Sequence, residues 1–221
     1  MKICGIDEAG RGPVIGPMII AGVAIEEENI GRLREIGVRD SKKLRAGKRR
    51  EIFDKLQDVL SEICVVKIQP WVIDFYIRYG KSYGGLNRLE ADFMREIIRR
   101  LRPEKVFVDC CDVDEERFLS ILKEGLPEAE EITIEAVHHA DALFEIVSAA
   151  SIVAKESRER EIEKIKEMVG EIGSGYPSDP LTRKFIRENP NLVRYYIRRM
   201  WNITEVEGRK FKGLRRFFSL K

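Results

Sequence analysis

The chain has 221 residues, enough for one large domain or one domain with a small appendage, and 35% of them are charged although the net charge is only +2. It contains no apolar run long enough for a membrane helix, and apparent core residues follow Met1 within a few positions. We therefore expect neither a membrane span nor a signal peptide and predict a cytoplasmic protein. The four cysteines show no C-x-x-C spacing, which argues against a zinc site or a disulfide framework.

The first predicted strand delivers two acids into a glycine-rich turn. Its apolar residues are followed by Asp7 and Glu8, and then by Gly10, Arg11 and Gly12. Carboxylates at a strand end suit a hard divalent cation, and the glycines leave backbone amides open to a polar substrate atom. Successive side chains of a strand point to opposite faces of the sheet. The two acids can therefore serve one site in two ways: the strand ends at them, or Glu8 contributes partly through its backbone carbonyl. A nucleotide-binding P-loop is disfavoured because its lysine and Ser/Thr are missing.

The next elements are two strands and a helix. Residues 17–25 form an apolar segment that we expect to pair with residues 2–6, and residues 64–69 supply a third strand. Apolar residues at helical spacing predict an amphipathic helix over 45–62.

A short polar motif precedes that helix, namely Asp40-Ser41-Lys42-Lys43-Leu44. Ser41 caps the helix in one interpretation. In the other, Lys42 or Lys43 contacts a phosphate near the helix N-terminus. Basic clusters recur along the chain and have two readings as well, a nucleic-acid surface or solvated helix faces.

The middle of the chain predicts a third acid at a strand end. Residues 70–85 are read as a short helix and a loop, and residues 86–101 as an amphipathic helix capped by Asn87. Residues 105–108 have the composition of a strand buried on both faces, and Asp109 follows it directly. Open α/β sheets bind ligands at such carboxyl ends, which makes Asp109 a candidate site residue. The acids from Asp112 to Glu115 are assigned to the start of the following helix.

A fourth acid follows the next predicted strand, residues 131–138, and precedes a long helix that runs to about Val169. This acid, Asp141, is either a site residue or the N-cap of that helix. Small side chains from residue 148 to 154 predict close packing of the helix on the sheet. A metal site at His138 and His139 is disfavoured, because catalytic zinc usually takes three protein ligands and no third nitrogen or thiol is in view.

Beyond the long helix, a Gly/Pro-rich loop carries Tyr176 between a glycine and a proline, and two short basic helices are predicted after it.

Taken together, these motifs resemble ribonuclease HII, the type 2 ribonuclease H. The resemblance rests on the ordered set Asp7-Glu8-Ala9-Gly10-Arg11-Gly12, Gly16-Pro17, Asp40-Ser41-Lys42-Lys43-Leu44, Val108-Asp109, Ala140-Asp141 and Ser148-Ala-Ala-Ser-Ile-Val-Ala-Lys155. It implies an α/β, RNase H-like fold, with a mixed central β-sheet flanked by helices and a small helical C-terminal extension. It divides the chain into a catalytic domain over 1–170, a helical substrate-clamping part over 171–210 and a tail over 211–221.

The resemblance also implies an activity. The family's enzymes are endonucleases that hydrolyse RNA in RNA/DNA hybrids and nick duplex DNA on the 5′ side of an embedded ribonucleotide, leaving 3′-hydroxyl and 5′-phosphate ends. This chemistry serves ribonucleotide removal in DNA replication and repair.

Four acids match the family's catalytic and metal-binding positions, namely Asp7, Glu8, Asp109 and Asp141. The cofactor implied is Mn²⁺ or Mg²⁺, since converging carboxylates repel one another unless cations lie among them. In two-metal logic, Asp7 bridges the ions. One ion, held with Asp141, then activates the water, and the other, held with Glu8 and Asp109, stabilises the leaving oxygen.

Selectivity for RNA requires a reader of the 2′-hydroxyl. The resemblance assigns that role to backbone groups of Gly10, Arg11 and Gly12 together with Tyr176, whose ring would pack on the neighbouring deoxyribose. The implied partners are RNA/DNA hybrids and duplex DNA with embedded ribonucleotides, and the family is typically monomeric.

The tail carries a second resemblance. Leu214, Phe217 and Phe218 have the spacing of a motif that docks on sliding clamps, with Phe211 in place of its usual glutamine. A C-terminal segment packed against the protein body is the alternative.

Two other function classes remain as comparisons. A DNA-directed nuclease of the same fold shares converging acids but has no need of the Gly-Arg-Gly turn or Tyr176. A non-catalytic nucleic-acid-binding or clamp-binding protein tolerates loss of an acid, whereas all four acids are present here.

Overall fold

The structure is a computed structural model that describes residues 1–38, 44–80, 84–126, 130–189 and 193–201. The strands are β1 (Lys2–Ala9), β2 (Met18–Glu26), β3 (Glu62–Ile68), β4 (Lys105–Asp109) and β5 (Thr133–Val137). The helices are α1 (Gly31–Glu35), α2 (Ala46–Val59), α3 (Pro70–Arg78), α4 (Gly85–Leu101), α5 (Glu115–Lys123), α6 (Ala140–Leu143), α7 (Glu145–Val169), α8 (Pro180–Glu188) and α9 (Val193–Tyr196).

The strands form one mixed sheet in the order β3-β2-β1-β4-β5. β1 runs antiparallel to β2 and parallel to β4, and β4 runs parallel to β5. The carboxyl ends of β1, β4 and β5 therefore meet at the same edge of the sheet. This arrangement confirms the predicted pairing of the first two strands and the RNase H-like fold with its mixed, helix-flanked sheet.

Two glycines let helices approach the sheet closely. A Cβ at Gly5 of β1 would lie 2.3 Å from the backbone oxygen of Ile146 in α7. A Cβ at Gly22 of β2 would lie 2.2 Å from the side chain of Ile97 in α4. The small residues of α7 are fully buried between residues 149 and 154, which confirms the predicted close packing of this helix.

The chain divides into two compact units. The first unit contains residues 1–9, 19–67 and 87–157, and hence nearly all of the sheet. Its core joins β1 and β2 to α2 and α7 through buried aliphatic side chains such as Ile3, Ile19, Leu56 and Val147.

The second unit contains residues 10–18, 68–86 and 158–221. Its core is a smaller cluster that includes Val14, Ile15, Ile162, Phe185 and Ile197. The domain boundaries predicted at residues 170 and 210 stay a prediction, and the tail over 211–221 lies outside the described residues.

The predicted cap at Asn87 is wrong, and so is the alternative that made Asp141 an N-cap. α4 already begins at Gly85, so Asn87 lies inside its first turn, where its side-chain amide donates to Asp112 at 2.6 Å. The N-cap position of α6 is held by His139 in a left-handed conformation, φ 58°, so Asp141 is not an N-cap but the second residue of that short helix. The predicted single helix after Asp141 is also interrupted, because Phe144 is extended between α6 and α7.

The predicted start of the helix after Asp109 is confirmed. Asp114 caps α5 by accepting the backbone amide of Arg117 at 3.0 Å. The four cysteines are free thiols. No helix within the described ranges is long and apolar enough to cross a membrane.

Candidate active site

Three of the four predicted acids lie at, or a few residues after, the carboxyl ends of the parallel strands. Asp7 and Asp109 continue the parallel register in which Ile6 lies opposite Val108. The backbone amide of Ala140 donates to Asp109 Oδ1 at 2.8 Å, which brings Asp109 to the turn that carries Asp141. We call Asp7, Asp109 and Asp141 the carboxylate cluster, and all three belong to the first unit.

The left-handed residue explains how β5 contributes to the cluster. His139 has φ 58°, a conformation uncommon for a residue with a side chain, and it reverses the chain directly after β5. The reversal presents the first amide of α6 to Asp109, and Asp141 follows one residue later. Both ring nitrogens of His138 have protein partners, the Asp112 carbonyl at 2.6 Å and the Glu115 carboxylate at 2.9 Å.

The electrostatics of the cluster centre on Asp7, which is 4% exposed. Burial, and then the neighbouring Asp109 carboxylate, raise the pKa of Asp7 from 3.8 to about 7. A hydrogen bond from Ser151, the Glu8 amide at 2.7 Å and the charge of Lys155 act in the opposite direction and favour its ionised form.

Ser151 and Lys155 are site residues that the sequence reasoning did not select. They lie four residues apart on α7, so they share one helix face, and Ser151 is fully buried. A polar pair at this spacing within a stretch of small apolar residues was the available signal.

Glu8 lies in β1, which continues to Ala9 rather than ending at the acids. Asp7 pairs with Ala21 and Glu8 with Ile20 of the antiparallel β2. In an extended strand these two side chains leave opposite faces. Glu8 therefore offers a cation two kinds of oxygen in different directions, its backbone carbonyl and its half-buried carboxylate.

The cluster suits a hard divalent cation by its chemistry. Its donors are carboxylate oxygens, which Mg²⁺ and Mn²⁺ prefer, and the buried carboxyl group of Asp7 lies close enough to Asp109 for their charges to interact. Among the described residues, no group of three or more His, Cys, Asp or Glu is already arranged around a common metal position. The fit to a cation therefore rests on the charge and the donor type of the cluster.

The predicted glycine turn belongs to the second unit, and we use that name for residues 10–16. Gly10 and Gly16 have φ +89° and +88°, which side-chain-bearing residues rarely adopt. A Cβ at Gly10 would lie 2.6 Å from the Arg158 side chain, and a Cβ at Gly12 would lie 3.4 Å from the ring of Tyr176. The absence of side chains thus lets the turn lie directly beside these two residues.

Backbone hydrogen bonds attach Tyr176 to the glycine turn. The carbonyl of Gly175 accepts the amides of Val14 at 2.8 Å and Ile15 at 3.1 Å. The guanidinium of Arg158 lies 5.7 Å from the centroid of the Tyr176 ring, which is 42% exposed. The structure therefore brings together Gly12 and Tyr176, as the resemblance implied, while Lys42 and Lys43 lie outside the described residues.

Comparison with known proteins identifies the family. The family model described as Ribonuclease HII matches residues 4–204. A ribonuclease HII from Pyrococcus horikoshii is 50% identical over 190 residues, covering 85% of this chain and 83% of the relative.

Solved structures agree with this match. The ribonuclease H2 from Pyrococcus horikoshii OT3 has a TM-score of 0.82 and 47% identity, covering 92% of this chain and 95% of that one. The RNase HII solved as a PCNA:RNase HII complex from Archaeoglobus fulgidus has a TM-score of 0.81 and 38% identity, with coverages of 96% and 98%. Neither a DNA-directed nuclease nor a non-catalytic protein accounts for these matches. The chain belongs to the ribonuclease HII family and is a metal-dependent ribonuclease, a hydrolase.

Proposed function

We propose that this enzyme cleaves the RNA strand of RNA/DNA hybrids internally and nicks duplex DNA on the 5′ side of an embedded ribonucleotide, leaving 3′-hydroxyl and 5′-phosphate ends. The observation that carries the proposal is the carboxylate cluster at the ends of β1, β4 and β5, with Asp7 buried beside Asp109. Such a cluster suits the handling of a phosphodiester and its attacking water, and the family match supplies the substrate class.

In this proposal Asp7, Glu8, Asp109 and Asp141 hold Mg²⁺ or Mn²⁺. Two bound cations would lower the pKa of the attacking water and stabilise charge on the leaving 3′ oxygen. The chain's own residues prepare this role: Ser151 and Lys155 favour the ionised form of Asp7. The Ala140 amide, in turn, fixes one oxygen of Asp109.

Substrate selection is proposed to use the glycine turn and Tyr176. Backbone groups of Gly10, Arg11 and Gly12 would read the 2′-hydroxyl, which distinguishes RNA from DNA. The exposed ring of Tyr176 beside Gly12 supports a packing contact with the sugar that follows.

Further contacts are proposed from the sequence. Lys42 and Lys43 would bind a substrate phosphate. Leu214, Phe217 and Phe218 would dock on a sliding clamp, which the relative solved in the PCNA:RNase HII complex supports. The enzyme is proposed to act as a cytoplasmic monomer.

The test is cleavage of a DNA duplex with one ribonucleotide, a continuous hybrid and an all-DNA duplex, each with Mg²⁺, Mn²⁺ or EDTA. We expect a metal-dependent nick 5′ to the ribonucleotide, cleavage of the hybrid, and no cleavage of DNA. Asp7→Asn should abolish both cuts. Asp114→Asn is the matched control, because Asp114 is an exposed helix cap at which asparagine serves equally well. Substantial cleavage by Asp7→Asn in Mg²⁺, or cleavage of the all-DNA duplex, would refute the proposal.

A further inference from the structure

Two side chains near the end of the described chain donate hydrogen bonds to carbonyls of the glycine turn. Arg198 donates from Nη1 to the Arg11 carbonyl at 3.0 Å and from Nε to the Gly16 carbonyl at 3.2 Å. Trp201 donates from its indole nitrogen to the Gly12 carbonyl at 3.1 Å. We propose that Arg198 and Trp201 are positioning residues for substrate selection, which hold the turn in the orientation that reads the 2′-hydroxyl. This inference rests on the proposed function.

Peptide geometry connects these bonds to the substrate. A trans peptide unit is planar, and its C=O and N–H point in opposite directions. The bond from Arg198 to the Arg11 carbonyl therefore fixes the direction of the Gly12 N–H. The next peptide unit, between Gly12 and Pro13, has no N–H. The bond from Trp201 therefore fixes this second peptide plane through the Gly12 carbonyl. Gly12 is thus held on both sides, directly beside the Tyr176 ring.

The backbone of the same segment reinforces this arrangement. We call residues 196–201 the C-terminal brace. The amide of Arg198 donates to the Val14 carbonyl at 2.9 Å, and the Gly16 amide donates to the Tyr196 carbonyl at 2.8 Å. Ile15 and Ile197 form an antiparallel β-bridge. Side-chain and backbone bonds together leave the turn little freedom to rotate its peptide planes.

The cost of burying Arg198 indicates a role that packing alone would not require. Its side chain is fully buried, although a charged group loses much of its hydration there. Its guanidinium lies 5.0 Å from the centroid of the Trp201 ring. Asp74 accepts the backbone amides of Arg199 at 2.9 Å and Met200 at 3.0 Å, and its carboxylate lies close enough to interact with the charge of Arg198. An apolar side chain would fill this space, but only the planar fork of arginine reaches two carbonyls at once.

The experiment separates positioning from folding. Trp201→Phe removes one N–H donor and keeps an aromatic ring over Arg198, and Trp71→Phe is the matched control because Trp71 is 70% exposed on α3. Arg198→Met removes both side-chain donors, and Arg198→Lys restores a single cationic donor. Two readouts are used for each protein: kcat and KM on a duplex with one ribonucleotide, and Kd in EDTA for that duplex and for an all-DNA duplex of the same sequence.

We expect Trp201→Phe to lower kcat about five- to tenfold, the effect of one lost neutral hydrogen bond. It should also reduce the preference for the ribonucleotide duplex in the EDTA binding assay while Kd for all-DNA stays unchanged. Arg198→Met should have the larger effect and Arg198→Lys a partial one, with Trp71→Phe equal to wild type.

An unchanged binding preference and kcat in Trp201→Phe would overturn the inference, as would an equal loss of affinity for both duplexes. If Arg198→Met does not fold, Trp201→Phe decides alone. Failure of the wild-type enzyme to nick the ribonucleotide duplex would instead refute the proposed function, so the two failures are distinguishable.

Discussion

Replacing Asp7 by asparagine should stabilise the metal-free protein at neutral and alkaline pH while destroying its activity. Burial and the Asp109 carboxylate raise the pKa of Asp7 from 3.8 to about 7. Between pH 3.8 and about pH 7, Asp7 therefore keeps its proton in the folded protein but has lost it in the unfolded chain. The contribution of Asp7 to the free energy of unfolding must therefore fall as pH rises from about 4 to about 7, and it stays lower above that range. Asparagine has no charge to bury, so it removes this loss.

The structure sets the size of the effect. A rise in pKa from 3.8 to about 7 corresponds to on the order of 4 kcal/mol of folding free energy. Relaxation of the site and entry of water reduce this figure, so we expect about 1–3 kcal/mol. For a protein of this size that is a rise in Tm of roughly 2–12 °C. The asparagine side-chain oxygen can still accept the hydrogen bonds from Ser151 and the Glu8 amide.

The assay is thermal or urea unfolding in EDTA at about pH 5 and about pH 8. Asp112→Asn is the control, because the pKa of Asp112 is lowered and its replacement should therefore reduce stability instead of increasing it. The Arg117 hydrogen bonds, together with those from the Asp114 amide and Asn87, lower the pKa of Asp112 to about 2. Its stabilising charge is present above about pH 4 and is lost as pH falls toward 2, so Asp112→Asn should lose about 1–2 kcal/mol at both pH values.

Added Mg²⁺ should stabilise the wild type at about pH 8 and have little effect on Asp7→Asn. If Asp7→Asn is no more stable than the wild type at about pH 8 in EDTA, the electrostatic reasoning is wrong.

Three further predictions concern the second unit and the tail. Tyr176→Ala should lower cleavage at the ribonucleotide more than it lowers binding, and Tyr176→Phe should retain most activity; equal losses of cleavage and binding would exclude the sugar-packing role. Gly10→Ala should cost about 1–2 kcal/mol in urea unfolding because of its positive φ and its close neighbours, whereas Gly31→Ala, with nothing within 4 Å, should not destabilise. Removal of residues 211–221 should abolish clamp binding in a pull-down assay and leave cleavage intact, and clamp binding by the truncated enzyme would rule out the motif.

Local sequence patterns were sufficient to predict the strands and the acids that lie at the ends of β1 and β4. Asp109 was predictable because a short apolar strand ends at it, and such strands deliver their last residues to one edge of a sheet. Ser151 and Lys155 were present in the pattern but were interpreted only as part of a small-sided helix.

The remaining features depend on tertiary structure. No local pattern indicated that His139 would adopt a left-handed conformation or that Phe144 would interrupt the helix. The N-cap alternative for Asp141, which rested on the general preference of aspartate for that position, is therefore wrong. Arg198 and Trp201 resemble ordinary residues of a basic C-terminal segment, because their partners lie near the opposite end of the sequence.

That separation has a consequence for when the enzyme becomes selective during its synthesis. Arg11 and Arg198 are 187 residues apart, so the chain must close a very long loop before the turn receives its brace. All four acids are synthesised by residue 141, well before the brace leaves the ribosome. A nascent or prematurely terminated chain would thus contain the carboxylates but lack the side chains that hold the glycine turn in place. On the proposed role of the turn, recognition of the 2′-hydroxyl would therefore be acquired only after the brace has been synthesised.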